Sequence, residues 1–288
     1  MQHSRNSSGT INNPPIHPVE QNIALRFDRV SFSYDKVKVF QETSFHIHEG
    51  EFVALAGPNG SGKTTALKLL LGLETPSAGR IELFGLASFR QRERVGYVPQ
   101  QTISDRAFPI TVRDVVKMGC LSPVSRFRGR EDNAAADEAM QQAEITELAS
   151  RPYSALSGGQ RRRVLVARAL ASLSRNAGKG LLGNKPGLLV LDEPTANMDE
   201  ESETRLFQTL GKLKGNTTIL IVTHDRDFVS SLVDRVLCMD KDAHNASEQG
   251  NEFTIVQHRI EETRILHEES FPADSCYPLD NDYSGEKS

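Results

Sequence analysis

The sequence contains little cysteine and no long apolar segment, and both absences restrict what the protein can be. Its 288 residues include three cysteines, Cys120, Cys238 and Cys276, which are far apart and odd in number. This pattern is typical of a chain in a reducing compartment and argues against a zinc knuckle. No apolar run approaches the roughly 20 residues that a membrane-spanning helix needs, so any link to a membrane is expected to pass through a partner.

A basic excess and a secretory leader are also missing. Lys and Arg number 34 against 38 Asp and Glu, and the formal net charge is -4. The chain therefore lacks the large basic excess that would indicate nucleic-acid binding, and no nucleic-acid partner is expected. The first twenty residues are polar and contain no apolar core, so no signal peptide is predicted. A chain of this length holds one large α/β domain or two small ones.

One stretch matches the phosphate-loop pattern G-x-x-x-x-G-K-[ST] without a gap. It consists of Gly57, Pro58, Asn59, Gly60, Ser61, Gly62, Lys63, Thr64 and Thr65. The glycines let the backbone turn tightly so that successive N–H groups face an anion, while Lys63 adds a positive charge and Thr64 a hydroxyl for Mg²⁺. A buried strand precedes the stretch and a helix follows it. This order disfavours an accidental glycine-rich turn and predicts a phosphate site at a helix N-terminus.

Polar residues follow two further apolar strands. Asp192 and Glu193 come directly after residues 188–191, and His224 comes just after residues 218–222. Both segments read as buried strands of a parallel sheet, and ligands bind at the carboxyl ends of such strands. These side chains are therefore expected at the same edge as the phosphate loop.

A second glycine-rich stretch, Leu156-Ser157-Gly158-Gly159-Gln160, precedes a helical pattern from Arg161 onward. Ser157 is expected to cap that helix, and the two glycines would leave its first N–H groups uncovered.

Aromatic and imidazole side chains near the start leave alternatives open. Tyr34 follows an alternating strand pattern. It either stacks on an adenine ring or is an ordinary strand-end aromatic, and the spacing favours neither. His46 and His48 share a strand face. They suggest a metal pair, but solvent-facing strand histidines are the preferred interpretation.

The ends of the chain differ in composition from its middle. Residues 1–22 are rich in Ser, Asn and Pro and predict a disordered leader, whereas a folded domain is expected over residues 23–240. Residues 241–288 are polar and acidic and are expected to be largely disordered, with one plausible strand at residues 253–256. Residues 174–187 contain four glycines and predict a surface loop.

In chain order, the phosphate loop, Gln100, the 156–160 stretch, Asp192-Glu193 and His224 resemble the ATP-binding subunit of an ABC transporter. The phosphate loop alone would leave kinases, GTPases and helicases open, but the 156–160 stretch matches the ABC signature, which is highly specific. A GTPase would also need an Asn-Lys-x-Asp guanine reader, and the nearest stretch of this chain lacks the acid.

This resemblance implies an α/β fold of the P-loop NTPase class with an ABC-type ATPase domain. The expected parts are a RecA-like parallel-sheet core, an N-terminal antiparallel β subdomain and an α-helical signature subdomain at about residues 101–172. The chain departs from the family in residues 195–199, where Thr-Ala-Asn-Met-Asp replaces the common Ser-Ala-Leu-Asp. The loop at residues 174–187 is also longer than usual.

The resemblance further implies that the chain binds and hydrolyses ATP with Mg²⁺. Residues 57–65 would hold the phosphates and Tyr34 would stack on adenine. Thr64, Gln100 and Asp192 would contact Mg²⁺. Glu193 would polarise the attacking water, and His224 would hydrogen-bond the γ-phosphate. Ser157, Gly158, Gly159 and Gln160 would close over ATP held by another subunit, with Asp199 at the dimer contact.

Partners follow from the same resemblance. One chain carries one phosphate loop and one signature, so a homodimer formed head-to-tail on ATP binding is expected. Integral membrane permease subunits would hold the chain at the cytoplasmic, inner face of the cell membrane. An extracytoplasmic metal-binding protein would be reached only indirectly.

The cargo expectation rests on local similarity. Residues 105–119 and 228–236 resemble the zinc and manganese importer group, so import of a divalent metal ion is predicted. An iron-chelate importer stays open as an alternative. A soluble, non-transport ABC protein is a further alternative, but such proteins usually carry two cassettes or a long coiled-coil insertion, and this chain has neither.

Overall fold

The computed structural model describes residues 22–100, 109–121, 129–176, 187–196, 198–224, 232–241, 253–261 and 264–272. The predicted leader at residues 1–21, most of the predicted loop at residues 174–187 and the end of the chain beyond residue 272 lie outside these ranges. Parts of the two stretches that resemble metal importers, residues 105–119 and 228–236, also lie outside them.

The described residues form β-strands, which come mainly early and late in the chain, and α-helices, most of which lie in its middle. The strands are β1 (Ile23–Tyr34), β2 (Val37–His48), β3 (Phe52–Ala56), β4 (Ala78–Leu83), β5 (Leu86–Ala87), β6 (Val95–Val98), β7 (Leu188–Asp192), β8 (Thr218–Thr223), β9 (Arg235–Lys241), β10 (Phe253–Glu261) and β11 (Arg264–Pro272). The helices are α1 (Lys63–Leu70), α2 (Val112–Lys117), α3 (Gly129–Gln142), α4 (Gly158–Asn176) and α5 (Glu200–Leu213).

Two sheets organise these elements. The smaller sheet has the order β2-β1-β4-β5 and its strands pair antiparallel. The larger sheet has the order β11-β10-β9-β3-β8-β7-β6, and it is parallel from β9 to β6. The predicted α/β class, with a parallel core and an N-terminal antiparallel sheet, is therefore confirmed.

The parallel strands are buried on both faces because they separate two hydrophobic cores. Ile219 and Ile221 of β8 pack in a core with helices α2, α3, α4 and α5. Leu220 and Val222 point the other way and pack with α1 and the antiparallel sheet. Successive strand residues face opposite sides, so a continuous apolar run is what this three-layer arrangement requires.

Helices α2, α3 and α4 pack together within the predicted helical subdomain. Helix α3 stops at Gln142. Glu144 has φ +54°, and the N–H of Ile145 donates to the oxygen of Met140 at 3.0 Å. This left-handed closure ends the helix although the local composition favours its continuation. In the described ranges every helix is too short or too polar to traverse a bilayer.

The expectation that residues 241–288 are largely disordered is wrong for residues 253–261 and 264–272, which form two strands. The predicted strand at residues 253–256 is the start of β10, which pairs antiparallel with β9, and β11 then pairs with β10. The many charges of this segment hide its strand pattern. Pairing to β9 satisfies backbone groups that an edge strand would leave to solvent.

His46 does not face solvent as expected. It is 7% exposed, and its ring packs edge-on against that of His48 with centroids 4.7 Å apart. Burial, with the nearby charge of Arg235, lowers the pKa of His46 to about 4. Arg235 also forms an ion pair with Glu51 at 2.9 Å and donates to the carbonyl oxygen of His46. These residues tie β2, β3 and β9 together, and in the described residues no cluster of three or more His, Cys, Asp or Glu forms a metal site.

Candidate functional site

The phosphate loop connects β3 to α1 and has the conformation that its glycines predict. Gly60 and Gly62 have φ of +83° and +99°, in the left-handed region that favours glycine. Gly57 needs its small size, because a Cβ there would lie 2.8 Å from Oγ of Ser61. The N–H of Gly57 donates to the oxygen of Thr223 at 3.2 Å, which fixes the loop to the end of β8.

Lys63 lies inside this loop rather than in solvent. Its Nζ donates to the carbonyl oxygens of Gly57 at 2.8 Å and Pro58 at 3.0 Å, and the residue is 6% exposed. Burial lowers the pKa of Lys63, and the charges of Glu193 and Asp192 oppose that shift. The ammonium is therefore held by loop carbonyls beside two carboxylates, where a phosphate would supply the stronger partner.

The remaining loop residues separate into exposed and buried groups. Asn59 and Thr64 are exposed, with Thr64 in the first turn of α1. Ser61 and Thr65 are buried, and Oγ of Ser61 contacts Sδ of Met239 at 3.7 Å. The bare first turn of α1 and the exposed hydroxyl of Thr64 fit a phosphate that carries Mg²⁺.

Glu193 joins three segments that are far apart in sequence. Its Oε2 accepts a hydrogen bond from Nε2 of Gln100 at 2.9 Å and contacts Nδ1 of His224 at 2.9 Å. The Glu193 side chain is 12% exposed, whereas that of His224 is 54% exposed. We call Gln100, Glu193 and His224 the carboxylate cluster. The structure therefore brings together three residues that the sequence predicted as catalytic.

The backbone at Glu193 is strained. Its φ is +44°, which a residue with a Cβ rarely adopts. The N–H of Glu193 donates to the oxygen of Val222 at 2.8 Å, so the end of β8 helps to hold this conformation. Strain of this kind is typical of functional positions, where the surrounding structure over-determines the backbone.

Asp192 lies beside the cluster and has a partner that the sequence analysis missed. The hydroxyl of Tyr97 donates to Oδ2 of Asp192 at 3.1 Å. Burial and the neighbouring carboxylate raise the pKa of Tyr97 to about 12, and burial also raises the pKa of Asp192. A half-buried carboxylate oriented in this way, together with the hydroxyl of Thr64, is the oxygen donor set that Mg²⁺ prefers.

The signature stretch forms the start of α4. Oγ of Ser157 accepts from the N–H of Gln160 at 3.2 Å, and Oε1 of Gln160 accepts from the N–H of Ser157 at 3.1 Å. This reciprocal capping box confirms the predicted cap. Ser157 and Gly158 are exposed, and a Cβ on Gly158 would meet nothing within 4 Å. The first turn of α4 thus presents an open surface, while the Gln160 side chain stabilises the helix end.

Asp199 and Gly159 both lie against Ser202 of α5. Asp199 caps α5 by accepting from both the N–H and the hydroxyl of Ser202 at 2.9 Å. A Cβ on Gly159 would lie 2.4 Å from Oγ of Ser202. Glycine is therefore required for α4 to pack against α5, and Asp199 is linked to the signature of its own chain through Ser202.

Tyr34 lies at the end of β1, and its hydroxyl contacts α1 and the segment that follows α1. Its hydroxyl accepts from Nζ of Lys68 at 3.3 Å and lies 3.5 Å from Oε1 of Glu74. The residue is 38% exposed, and Phe32 packs edge-on against its ring. An exposed aromatic face next to the phosphate-loop helix is compatible with stacking, which stays a prediction.

Arg162 is the other functional candidate that the sequence analysis missed. Its guanidinium contacts the backbone oxygens of Pro99, Gln100 and Glu193. The available signal was its place two residues after the signature, but the three neighbouring arginines at 161–163 are indistinguishable by composition. Only the helical phase of α4 selects one of them for this contact.

Comparisons with known proteins agree with this geometry. A sequence profile of the ABC transporter family matches residues 40–196 of the chain. The zinc uptake system ATP-binding protein ZurA of Listeria innocua is 37% identical over 227 residues, which are 76% of this chain and 84% of that protein. The manganese transport system ATP-binding protein MntB of Halalkalibacterium halodurans is 33% identical over 224 residues, which are 77% of this chain and 84% of that protein.

Solved structures show the same fold. CbiO1 of Clostridium perfringens, part of the ABC transporter complex cbiONQ, matches with a TM-score of 0.65 and 27% identity, over 82% of this chain and 88% of that one. The dimeric, post-hydrolysis structure of an ATP-binding cassette bound to ADP and phosphate matches with a TM-score of 0.60 and 25% identity, over 83% of this chain and 99% of that one. The chain therefore belongs to the ABC transporter family, and it is an ATP-binding subunit with ATPase activity.

Proposed function

We propose that this subunit hydrolyses ATP with the carboxylate cluster and thereby powers the import of a divalent metal ion, zinc or manganese. The observation that carries the catalytic part is the convergence of Gln100 and His224 on a single oxygen of Glu193, each at 2.9 Å. Three segments meet there at the carboxyl edge of a parallel sheet, next to the phosphate loop.

The arrangement supports general-base chemistry at Glu193. Both partners contact Oε2, and in the described residues Oε1 is the oxygen available to orient and deprotonate the attacking water. The exposed imidazole of His224 would hydrogen-bond the γ-phosphate on the solvent side. Gln100 would report the state of the nucleotide to residues further along its loop.

Phosphate binding would exchange the partners of Lys63. The Lys63 ammonium would move from the carbonyls of Gly57 and Pro58 to the β- and γ-phosphates, while the N–H groups of the loop and of α1 face the same oxygens. Thr64, Asp192 and Gln100 would hold Mg²⁺. When bound, the ion neutralises charge that develops on the phosphate oxygens.

A head-to-tail homodimer would complete each site. Ser157 and Gly158 are exposed at the start of α4, and a Cβ on Gly158 would meet nothing within 4 Å. These groups would meet the γ-phosphate of ATP held by a second subunit, with Asp199 near the contact. The dimeric structure of a related cassette with ADP and phosphate supports this arrangement.

The cargo and the location are argued from relatives. A zinc uptake protein and a manganese transport protein are among the similar chains, and ABC ATP-binding subunits work with membrane permeases. The subunit would sit on its permease at the cytoplasmic face of the cell membrane and reach an extracytoplasmic metal-binding protein only through that permease. An iron-chelate importer is the second candidate, because its ATPase would use the same site.

A growth experiment tests the proposal. Deleting the gene should impair growth when zinc and manganese are scarce, and added metal or a plasmid with the parent gene should restore it. A plasmid encoding Glu193→Gln should not restore growth although the protein is present. A deletion strain that fails only on iron chelates contradicts the cargo. A deletion strain that grows normally both when zinc and manganese are scarce and on iron chelates, together with a parent strain whose membrane fractions lack the protein, contradicts a transport role.

A further inference from the structure

Arg162 joins the signature helix to the carboxylate cluster of the same chain. Its Nη1 donates to the oxygen of Pro99 at 2.5 Å, and its Nη2 donates to the oxygens of Gln100 and Glu193 at 3.0 Å each. The residue is 7% exposed. One side chain on α4 therefore holds the backbone of two of the three cluster residues.

The same end of α4 also carries an open surface. Ser157 and Gly158 are exposed there, one helical turn of roughly 5.4 Å before Arg162. The capping box between Ser157 and Gln160 and the tight packing of Gly159 on Ser202 make this turn rigid. A shift of the exposed face must therefore move the guanidinium of Arg162 as well.

We propose that Arg162 is a positioning residue that transmits the seating of the signature on the partner's nucleotide to Gln100 and Glu193 of its own site. The proposal rests on the trans arrangement described under Proposed function. Closure at one nucleotide would then set the catalytic geometry of the other, and the two hydrolysis sites of a dimer would be coupled through α4.

The guanidinium is suited to this task for two reasons. Its planar fork carries several donors, so one side chain reaches three carbonyl oxygens from two segments, whereas a lysine presents a single compact ammonium. The bond to the oxygen of Glu193 also supports a residue whose φ is +44°. Without it, the strained conformation loses a partner and the carboxylate leaves the position set by Gln100 and His224.

Arg163 provides a matched control. It is the next residue of α4, is 9% exposed, and its Nη1 donates to the oxygen of Glu144 at 2.9 Å. Glu144 lies just after α3 and far from the cluster in the chain. The two arginines thus share burial and a bond to backbone carbonyl, but only Arg162 contacts the site.

The experiment compares Arg162→Lys, Arg162→Gln, Arg163→Gln and Glu193→Gln in the full-length protein. Each variant is measured for kcat, KM for ATP, the Hill coefficient for ATP and the melting temperature.

Arg162→Gln should lower kcat by roughly 10- to 100-fold, the effect of a small misplacement of catalytic groups, with KM little changed. Arg162→Lys should fall between this variant and the parent, and its Hill coefficient should drop from above 1 towards 1. Arg163→Gln should lower the melting temperature to a similar extent and keep kcat.

Several outcomes overturn the proposal. A folded Arg162→Gln with the parent's kcat removes the positioning role, and an equal loss of kcat in Arg163→Gln assigns the effect to general loosening of α4. If Arg162→Gln does not fold, Arg162→Lys decides, since parental kcat and Hill coefficient in that variant leave Arg162 a folding role only. A Glu193→Gln protein that hydrolyses ATP at the parent rate instead contradicts the proposed function, whatever Arg162 does.

Discussion

Two opposite edges of the parallel sheet each carry a glutamate that serves two partners. At the amino edge, Glu51 precedes β3 and contacts Arg235 at 2.9 Å, and its Oε2 accepts from the N–H of His48 at 2.8 Å. At the carboxyl edge, Glu193 follows β7 and contacts Gln100 and His224. The residue type and the number of partners are the same, and the side chains of Glu51 and Glu193 are similarly exposed, at 15% and 12%, yet the two carboxylates have different neighbours.

The difference lies in the charge of the partners. Burial would raise the pKa of Glu51, but the hydrogen bonds from His48 and the charge of Arg235 outweigh it and lower that pKa. Glu51 is thus neutralised by a cation that is itself buried. The partners of Glu193 are an amide and an imidazole, and the imidazole is 54% exposed. At the amino edge, Glu51 holds strands together. At the carboxyl edge, Glu193 stays able to act on a ligand.

The largest expected effect concerns the carboxyl edge. Glu193→Gln should keep ATP binding and lower kcat by roughly 10² to 10⁴, the usual contribution of a general base. The amide can still accept from Gln100, so the fold of the cluster should survive. Single-turnover hydrolysis and a nucleotide titration on the same sample measure both quantities, and size exclusion should show an accumulated ATP-bound dimer. Parental turnover would mean that another group activates the water.

The same substitution at the amino edge should act on stability instead. Glu51→Gln leaves the charge of Arg235 buried without its carboxylate, which typically costs about 3–5 kcal/mol. Urea unfolding measures this loss, and kcat of the folded fraction should stay near that of the parent. If Glu51→Gln slows catalysis as much as Glu193→Gln does, the contrast between the edges is wrong.

The contrast also explains which parts of the site are predictable from sequence. The phosphate loop is contiguous, so its left-handed glycines and the helix that follows are determined locally. Asp192, Glu193 and His224 were each expected at a carboxyl edge because they end apolar strands. That expectation needs only the rule for parallel sheets.

Contacts between distant segments were not predictable. Tyr97 bonds to Asp192 across 95 positions and Arg162 bonds to Pro99 across 63. The register of β6 on β7 and the rotation of α4 about its axis decide these contacts. Neither can be predicted from the local sequence pattern. His46 was misassigned for the same reason, because strand alternation shows that it shares a face with His48 but not that other strands cover it.

A pH titration sharpens the difference in stability between the edges. The pKa of His46 is about 4 in the fold against an ordinary value of 6.5, so the unfolded chain takes up a proton first as the pH falls. The contribution of neutral His46 is fully present above pH 6.5 and is lost as the pH falls towards 4. Each unit of this window corresponds to about 1.4 kcal/mol, which sets an upper limit of about 3.5 kcal/mol.

His46→Gln should flatten this part of the stability profile. Urea unfolding of the parent and the variant between pH 7 and pH 4 measures the difference, and the subtraction removes the titrations that the two proteins share. Parallel profiles for the two proteins would show that His46 is not buried in its neutral form.

The smallest expected effect tests the cation at the carboxyl edge. Lys63 is held by loop carbonyls and lies near Asp192 and Glu193, so it is the charge available there for phosphates. Lys63→Ala should lose a charge-assisted hydrogen bond of about 1.5–3 kcal/mol, which is roughly a 10- to 100-fold weaker affinity for ATP. The apo protein should be no less stable, because burial of the ammonium is itself unfavourable. Titration of a fluorescent ATP analogue measures the affinity, with Lys212→Ala on the exposed face of α5 as the control for removal of one positive charge. If both variants bind the analogue as the parent does, another group supplies the positive charge to the phosphates, and Lys63 serves only to offset the charges of Asp192 and Glu193.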